Sequence, residues 1–128
     1  MASIFTKIIN GEIPCHKIAE SENYFAFLDI NPWEEGHTLV IPKKEVDYIF
    51  DLDNETYEGL MAFSKKVAHA VEKAVPCKRV GVLVEGLEVP HSHVHLIPIV
   101  KHFIPKQKPK YSQEELAKIA ERIRANFE

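Results

Sequence analysis

His91, His93 and His95 alternate within the run His-Ser-His-Val-His-Leu-Ile-Pro at positions 91–98. Imidazole changes charge nearest neutral pH, and its neutral form is both a metal ligand and a nucleophile. If the run is a strand, its side chains alternate between two faces, so the three rings share one face while Ser92, Val94 and Leu96 share the other. Adjacent rings then recur every ~7 Å along a stiff backbone, within reach of one bound group. Pro98 should end the ladder, because it has no N–H to give. Three explanations fit: an imidazole nucleophile with helpers, a zinc or copper site of His-x-His type, or a polar surface without a task. Seven histidines in all, three of them within five positions, favour a task over chance.

The remaining pattern supplies the elements that must hold these rings. Residues 79–84 alternate as a strand, and Glu85-Gly86-Leu87-Glu88 makes a short turn into the histidine run. Residues 37–42 alternate as another strand with His37, Leu39 and Ile41 on one face. Residues 17–20 and 24–30 read as a hairpin closed by Ser21-Glu22-Asn23, with Phe25 and Phe27 on one side. Asp29 ends that hairpin, where it either caps the turn signalled by Asn31-Pro32 or offers its carboxylate to a bound hydroxyl. Ser3 is a candidate N-cap for a short helix over 3–9 that sets Ile4, Phe5 and Ile8 on one side, with Gly11 past its end.

The main helix is expected over 54–73, where Leu60, Phe63, Val67 and Val71 form an apolar stripe and His69 lies off it. The segment 101–110 combines Pro105 and Pro109 with Lys101, Lys106, Lys108 and Lys110, as a solvated linker or as a loop touching substrate phosphates. Ser112-Gln113-Glu114-Glu115 is a capping box ahead of a terminal helix with Leu116, Ile119, Ala120, Ile123 and Phe127 on its apolar side. Together these elements predict an α+β domain with an antiparallel sheet of about five strands, one long helix and short terminal helices.

With 128 residues, 45% hydrophobic and 27% charged, the chain suits one domain over 1–128, in which 101–128 is a C-terminal loop and helix extension. A net charge of −3 argues against a dedicated nucleic-acid binder. No leader and no apolar run long enough to span a membrane is expected. Cys15 and Cys77 form neither a CxxC pair nor a disulfide framework, so a reducing cytoplasm is the simplest setting.

Three stretches resemble one family: HxHxHxxP at 91–98, Gly-His-Thr-Leu-Val-Ile-Pro-Lys at 36–43, and Ile-Phe-Thr-Lys-Ile-Ile-Asn-Gly-Glu-Ile-Pro at 4–14. In this order and register they are similar to the histidine triad (HIT) family of nucleotide hydrolases and transferases, from Ile4 to Pro98. The resemblance implies that His93 is the nucleophile, forming a nucleotidyl-imidazole intermediate that water resolves. His91 and His95 would position the phosphate and assist proton movement, and His37 would orient the triad from behind. Asp29 would bind the ribose diol, and Phe5, Ile8, Ile13, Phe27 and Ile30 would line a nucleobase pocket. It also implies a homodimer joined through sheet edges or helices, with a purine nucleotide or nucleotide conjugate as ligand. Covalent chemistry of this kind needs no metal cofactor, although magnesium can accompany a polyphosphate substrate.

The chain also departs from the family. Relatives often have a longer, Gly-rich turn before the triad, with Gln and Ser or Thr that contact the phosphate; here the turn offers Leu87 and Glu88. A carboxylate repels phosphate, which points Glu88 away, favours a cationic or neutral leaving group, or weakens activity. Ser92 replaces an apolar spacer. A subset of relatives holds a structural zinc at positions matched here by Ser3, Thr6 and Glu45, residues that predict no such site. Two other functions compete with an enzyme cleaving phosphoramidates or dinucleoside polyphosphates: a nucleotide-binding module with little turnover, and a His-rich metalloprotein.

Overall fold

Ser3 starts the first helix, α1 (Ile4–Ile9), by accepting the Thr6 amide on its hydroxyl, and Gly11 turns the chain away at φ 80°. That left-handed value is one glycine adopts without steric cost. The computed structural model describes residues 2–101 and 108–127. After α1, β1 (Lys17–Glu20) and β2 (Tyr24–Leu28) form a hairpin and β3 (Thr38–Pro42) follows. A 3-10 turn at Ile49–Asp51 leads into α2 (Asn54–Ala74), and then come β4 (Arg79–Leu83), β5 (Val94–Ile99) and α3 (Gln113–Ala125). The strands make one antiparallel sheet in the order β1-β2-β3-β5-β4, the α+β architecture expected.

Asp53 caps α2 by accepting the Thr56 amide, and Leu60, Phe63, Val67 and Val71 are all buried along one stripe. Pro76, just beyond its end, cannot continue a helix. Both hydrogen bonds of the Ser112–Glu115 capping box are present at the start of α3. The two helices cover one face of the sheet, where Ala26, Leu28, Val40, Val94 and Leu96 join them in the main core. Each large side chain buried there contributes roughly 1.5–3 kcal/mol. The opposite face carries a second core of Phe5, Phe25, Phe27, Leu39 and Ile41 under α1. Phe27 pairs with Leu39 and Leu39 with His95, so this aromatic floor runs directly into the histidines.

Two expectations about the histidine strand need correction. β5 begins at Val94, so His91 and His93, with Ser92 between them, precede it, and the two rings do not share one face of it with His95. Their backbone bonds elsewhere: the His91 amide donates to Val89 O at 2.8 Å and the Ser92 amide to Val46 O at 2.7 Å. Pro98 does not end the strand, which runs to Ile99 against β4. Pairing with β3 has already stopped at Leu96, so the missing N–H removes no bond on that side. β2 is also shorter than expected. It stops at Leu28, and β3 starts at Thr38, leaving Asp29 and His37 just outside the ladder. One further bond joins them, from the Asp29 amide to His37 O at 3.0 Å. The part of the basic loop that includes Pro105 and Lys106 lies outside the described residues.

Candidate active site

Each ring of the triad meets a different set of partners. His93 Nδ1 lies 2.7 Å from the carbonyl oxygen of His91. A carbonyl can only accept, so Nδ1 carries the proton and Nε2 keeps a free lone pair. The His93 ring is held edge-on between Phe5 and His95, with centroids 5.0 Å away on each side. It is buried but lines two cavities, one on either side. A neutral imidazole fixed in this tautomer is a competent nucleophile.

His37 and His95 form a directional pair. The Trp33 amide donates to His37 Nδ1 at 3.0 Å, which puts the His37 proton on Nε2, 3.0 Å from His95 Nδ1. His95 must therefore accept at Nδ1 and carry its own proton on Nε2. Burial pushes the His37 pKa down to about 4, partly offset by Asp29, whose Oδ2 is 3.6 Å from His37 Nε2. Burial also lowers His95, reinforced by the neighbouring His93. Both rings are thus neutral at pH 7. The Trp33 amide was invisible in the pattern, since a backbone donor has no residue-type signal. Lys108, from the basic loop, stands 4.3 Å from the Trp33 ring centroid.

His91 differs most from expectation. Its ring is fully buried, with Nε2 2.7 Å from Pro42 O and Nδ1 2.7 Å from Ser3 Oγ. With both nitrogens so engaged, the ring itself cannot reach a phosphate; its carbonyl, which holds His93, is what the site uses. Burial lowers its pKa, against the Pro42 bond and Glu45, which raise it.

The cavity that His93 and His95 share has a volume of about 310 Å³, at the small end for a ligand site. Phe5, Ile8, Ile13, Phe27, Asp29 and Ile30 all line it, so the structure brings the sequence-selected residues together with the triad. Cys15, Leu39, Glu88 and Val89 line it too. Of these, Leu39 was signalled by its alternation with His37, and Cys15 and Val89 by nothing. Asp29 fulfils the turn role, accepting the Asn31 amide at 2.8 Å on Oδ1. Glu88 is among the lining residues although it is exposed, and Leu87 is 85% exposed. On the other side of His93 lies a cavity of about 500 Å³ with Asp47, Tyr48, Phe50, Tyr57, Val82, Glu85 and Ser92 in its wall. The buried Ser92 hydroxyl there has no hydrogen-bond partner among the described residues.

Metal ligation suits neither polar cluster. Ligand atoms of Asp29, His37 and His95 lie within 4.8 Å of one another. The Trp33 amide, however, makes His37 Nε2 an N–H donor, and ligation there would require an imidazolate. At the second cluster, Ser3, Thr6, Glu45 and His91 Nδ1 bond to one another, and one imidazole with two hydroxyls and a carboxylate, lacking any thiolate, does not fit the donor set of a structural zinc.

The chain is similar in sequence and fold to known proteins of one family. The model of the HIT domain matches residues 10–102. The adenosine 5'-monophosphoramidase of Schizosaccharomyces pombe is 38% identical over 114 residues, covering 87% of this chain and 79% of that protein. A HIT-like protein of Bartonella henselae superimposes with a TM-score of 0.88 at 35% identity, covering 98% of this chain and 96% of its own. A zinc-bound histidine triad protein of Mycobacterium smegmatis gives 0.85 at 27% identity, covering 98% and 93%. The chain belongs to the HIT family. Helix α3 lies beyond the matched segment.

Proposed function

We propose that the protein is a nucleotide hydrolase or transferase that cleaves the α-phosphate bond of nucleoside phosphoramidates or dinucleoside polyphosphates through a covalent nucleotidyl-His93. The observation that carries this is the free Nε2 lone pair of His93, fixed by the His91 carbonyl at the mouth of an apolar cavity that also holds Asp29. The adenosine 5'-monophosphoramidase named above supports the substrate class.

In the first step His93 Nε2 bonds to the α-phosphorus and the bond to the leaving amine breaks. The His91 carbonyl, still accepting from Nδ1–H, stabilises the positive charge that the imidazole acquires. His95 Nε2–H, its ring held by His37, hydrogen-bonds a phosphoryl oxygen, and the departing nitrogen takes its proton from solvent. In the second step water attacks phosphorus, the P–N bond to His93 breaks, the nucleoside monophosphate leaves and the proton passes to solvent. The base sits on Phe5, Ile8, Ile13, Phe27 and Ile30, and the ribose diol on Asp29, which fits a purine nucleotide. Glu88 in the cavity wall favours a basic amine over a polyphosphate as leaving group. Magnesium belongs to this scheme only as a companion of a polyphosphate substrate.

The same carboxylate supports a second reading, a nucleotide-binding module with little turnover, because Glu88 would oppose the phosphate itself. Mass spectrometry separates the two. Untagged protein mixed with an adenosine phosphoramidate and quenched early should carry a nucleotidyl adduct on His93 and release AMP. AMP binding with neither adduct nor product would leave the binding module.

The assembly proposed is a homodimer through β4. That strand pairs only with β5 among the described residues and exposes Val82, Leu83 and, beyond it, Val84 and Leu87. An open, apolar edge of this kind invites pairing. Val82→Glu should yield monomers by light scattering, and a wild-type monomer would sink this assembly. No helix among the described residues is long and apolar enough to cross a membrane; two free cysteines support the cytoplasm as the setting.

A further inference from the structure

We infer that Ser3, Thr6 and Glu45 are positioning residues for the nucleophile: a hydrogen-bonded clamp that locks the His91 ring and, through the His91 carbonyl, the tautomer of His93. This rests on the hydrolase reading for its effect on turnover but not for its geometry.

Every donor and acceptor in the clamp has an assigned direction. Pro42 O can only accept, so His91 carries its proton on Nε2 and presents a lone pair at Nδ1. The Ser3 hydroxyl, 2.7 Å away, donates to that lone pair. Ser3 Oγ in turn accepts the Thr6 amide at 3.0 Å. Glu45 Oε1 accepts twice, from the Ser3 amide at 2.7 Å and from the Thr6 hydroxyl at 2.6 Å. These bonds hold the Glu45 carboxyl below the usual carboxylate range, so it remains an acceptor at neutral pH.

The clamp closes a loop in the chain. His91 is tied to Pro42 directly and to Glu45 through Ser3, and the next amide, Ser92 N, bonds Val46 O at 2.7 Å. Residues 42–46 therefore grip 91–92 at successive points, which is why this segment leaves the sheet ladder before β5. Helix α1 is part of the same grip, since Phe5 stands edge-on to both His91 and His93 with centroids 5.8 and 5.0 Å away. What is being held is the His91 carbonyl, 2.7 Å from His93 Nδ1. If it moves, His93 is free to put its proton on Nε2, and the nucleophilic lone pair is lost from the cavity.

Nitrogen-15 NMR of histidine-labelled protein reads this directly, with the His93 signal assigned by its loss in His93→Ala. Wild type should show His93 protonated at Nδ1 alone. Ser3→Ala and Glu45→Ala should show a mixture, with kcat for an adenosine phosphoramidate lowered about tenfold or more, as for other residues that orient a functional imidazole. Glu45→Gln, which keeps an accepting oxygen, should stay nearer wild type in both readouts than Glu45→Ala. Leu60→Ala, on the buried stripe of α2, is the control for lost stability and should keep the wild-type tautomer. An unchanged His93 tautomer in both Ser3→Ala and Glu45→Ala overturns the inference whatever the turnover. A wild type without turnover but with the expected tautomer changes overturns the hydrolase reading and leaves the clamp standing.

Discussion

Acid should unfold this protein through its buried histidines before its carboxylates, and His37 allows the size to be worked out. Its folded pKa is about 4, driven down by burial, against 6.5 in the unfolded chain. Between those values the unfolded state binds the proton and the folded state does not, so stability rises with pH across the window. The contribution is fully present above about pH 6.5 and is lost as pH falls through about 4, roughly 3 kcal/mol in all. About 2 kcal/mol of it goes between pH 7 and pH 5. His91 and His95 are shifted in the same direction, also by burial, and steepen the slope. The assay is urea unfolding of wild type and His37→Gln at pH 7, 6 and 5. Carboxylates away from His37 contribute equally to both proteins and cancel in the difference. Wild type should lose about 2 kcal/mol more than the variant by pH 5. Parallel pH dependences would refute the claim that His37 is held neutral by burial.

The site makes further predictions. His93→Ala and His93→Gly should abolish turnover while retaining AMP binding, read by calorimetry beside a product assay; undiminished turnover in both removes His93 from the nucleophile role. Asp29→Asn keeps an acceptor for the Asn31 amide but weakens the diol contact, so KM for ribose nucleotides should rise by roughly tenfold, on the scale of one charge-assisted hydrogen bond; an equal rise for analogues lacking the diol would make Asp29 a turn residue only. Glu88→Gln should improve kcat/KM for diadenosine polyphosphates relative to amidates of basic amines, and an unaltered ratio would detach Glu88 from leaving-group choice. Leu60→Ala, at a site with no exposure, should cost about 2–5 kcal/mol in thermal or urea unfolding.

What could be read from the sequence was whatever local spacing determines. The stripe of α2, the Ser112–Glu115 box and the Phe25–Phe27 alternation each depend on neighbours a few residues away, and each appears as expected. The segment 91–93 was misassigned to a strand because its partners lie far off in the chain. Val46 O, Pro42 O and Ser3 Oγ take the hydrogen bonds that a ladder would otherwise supply, and no periodicity within 91–98 encodes them. Ser3, Thr6 and Glu45 could be marked as positions where zinc ligands were missing, but not as a network. That requires knowing that α1 docks its first turn against the end of β3.

Identical residues in the triad acquire distinct tasks from the atoms that occupy their nitrogens. His91 has an acceptor on one nitrogen and a donor on the other, and is left with nothing to offer a substrate but its carbonyl. His95 receives a proton donor at Nδ1 and so presents an N–H at Nε2. His37 is fixed by the Trp33 backbone amide, which only a proline at that position would remove. Only His93 has one nitrogen satisfied by an acceptor and the other facing open space. Covalent attack needs a lone pair directed at phosphorus; both nitrogens of His91 and of His37 are engaged, and His95 turns an N–H rather than a lone pair to the cavity. On the proposed mechanism, the nucleophile is selected less by what touches His93 than by what has already engaged its neighbours.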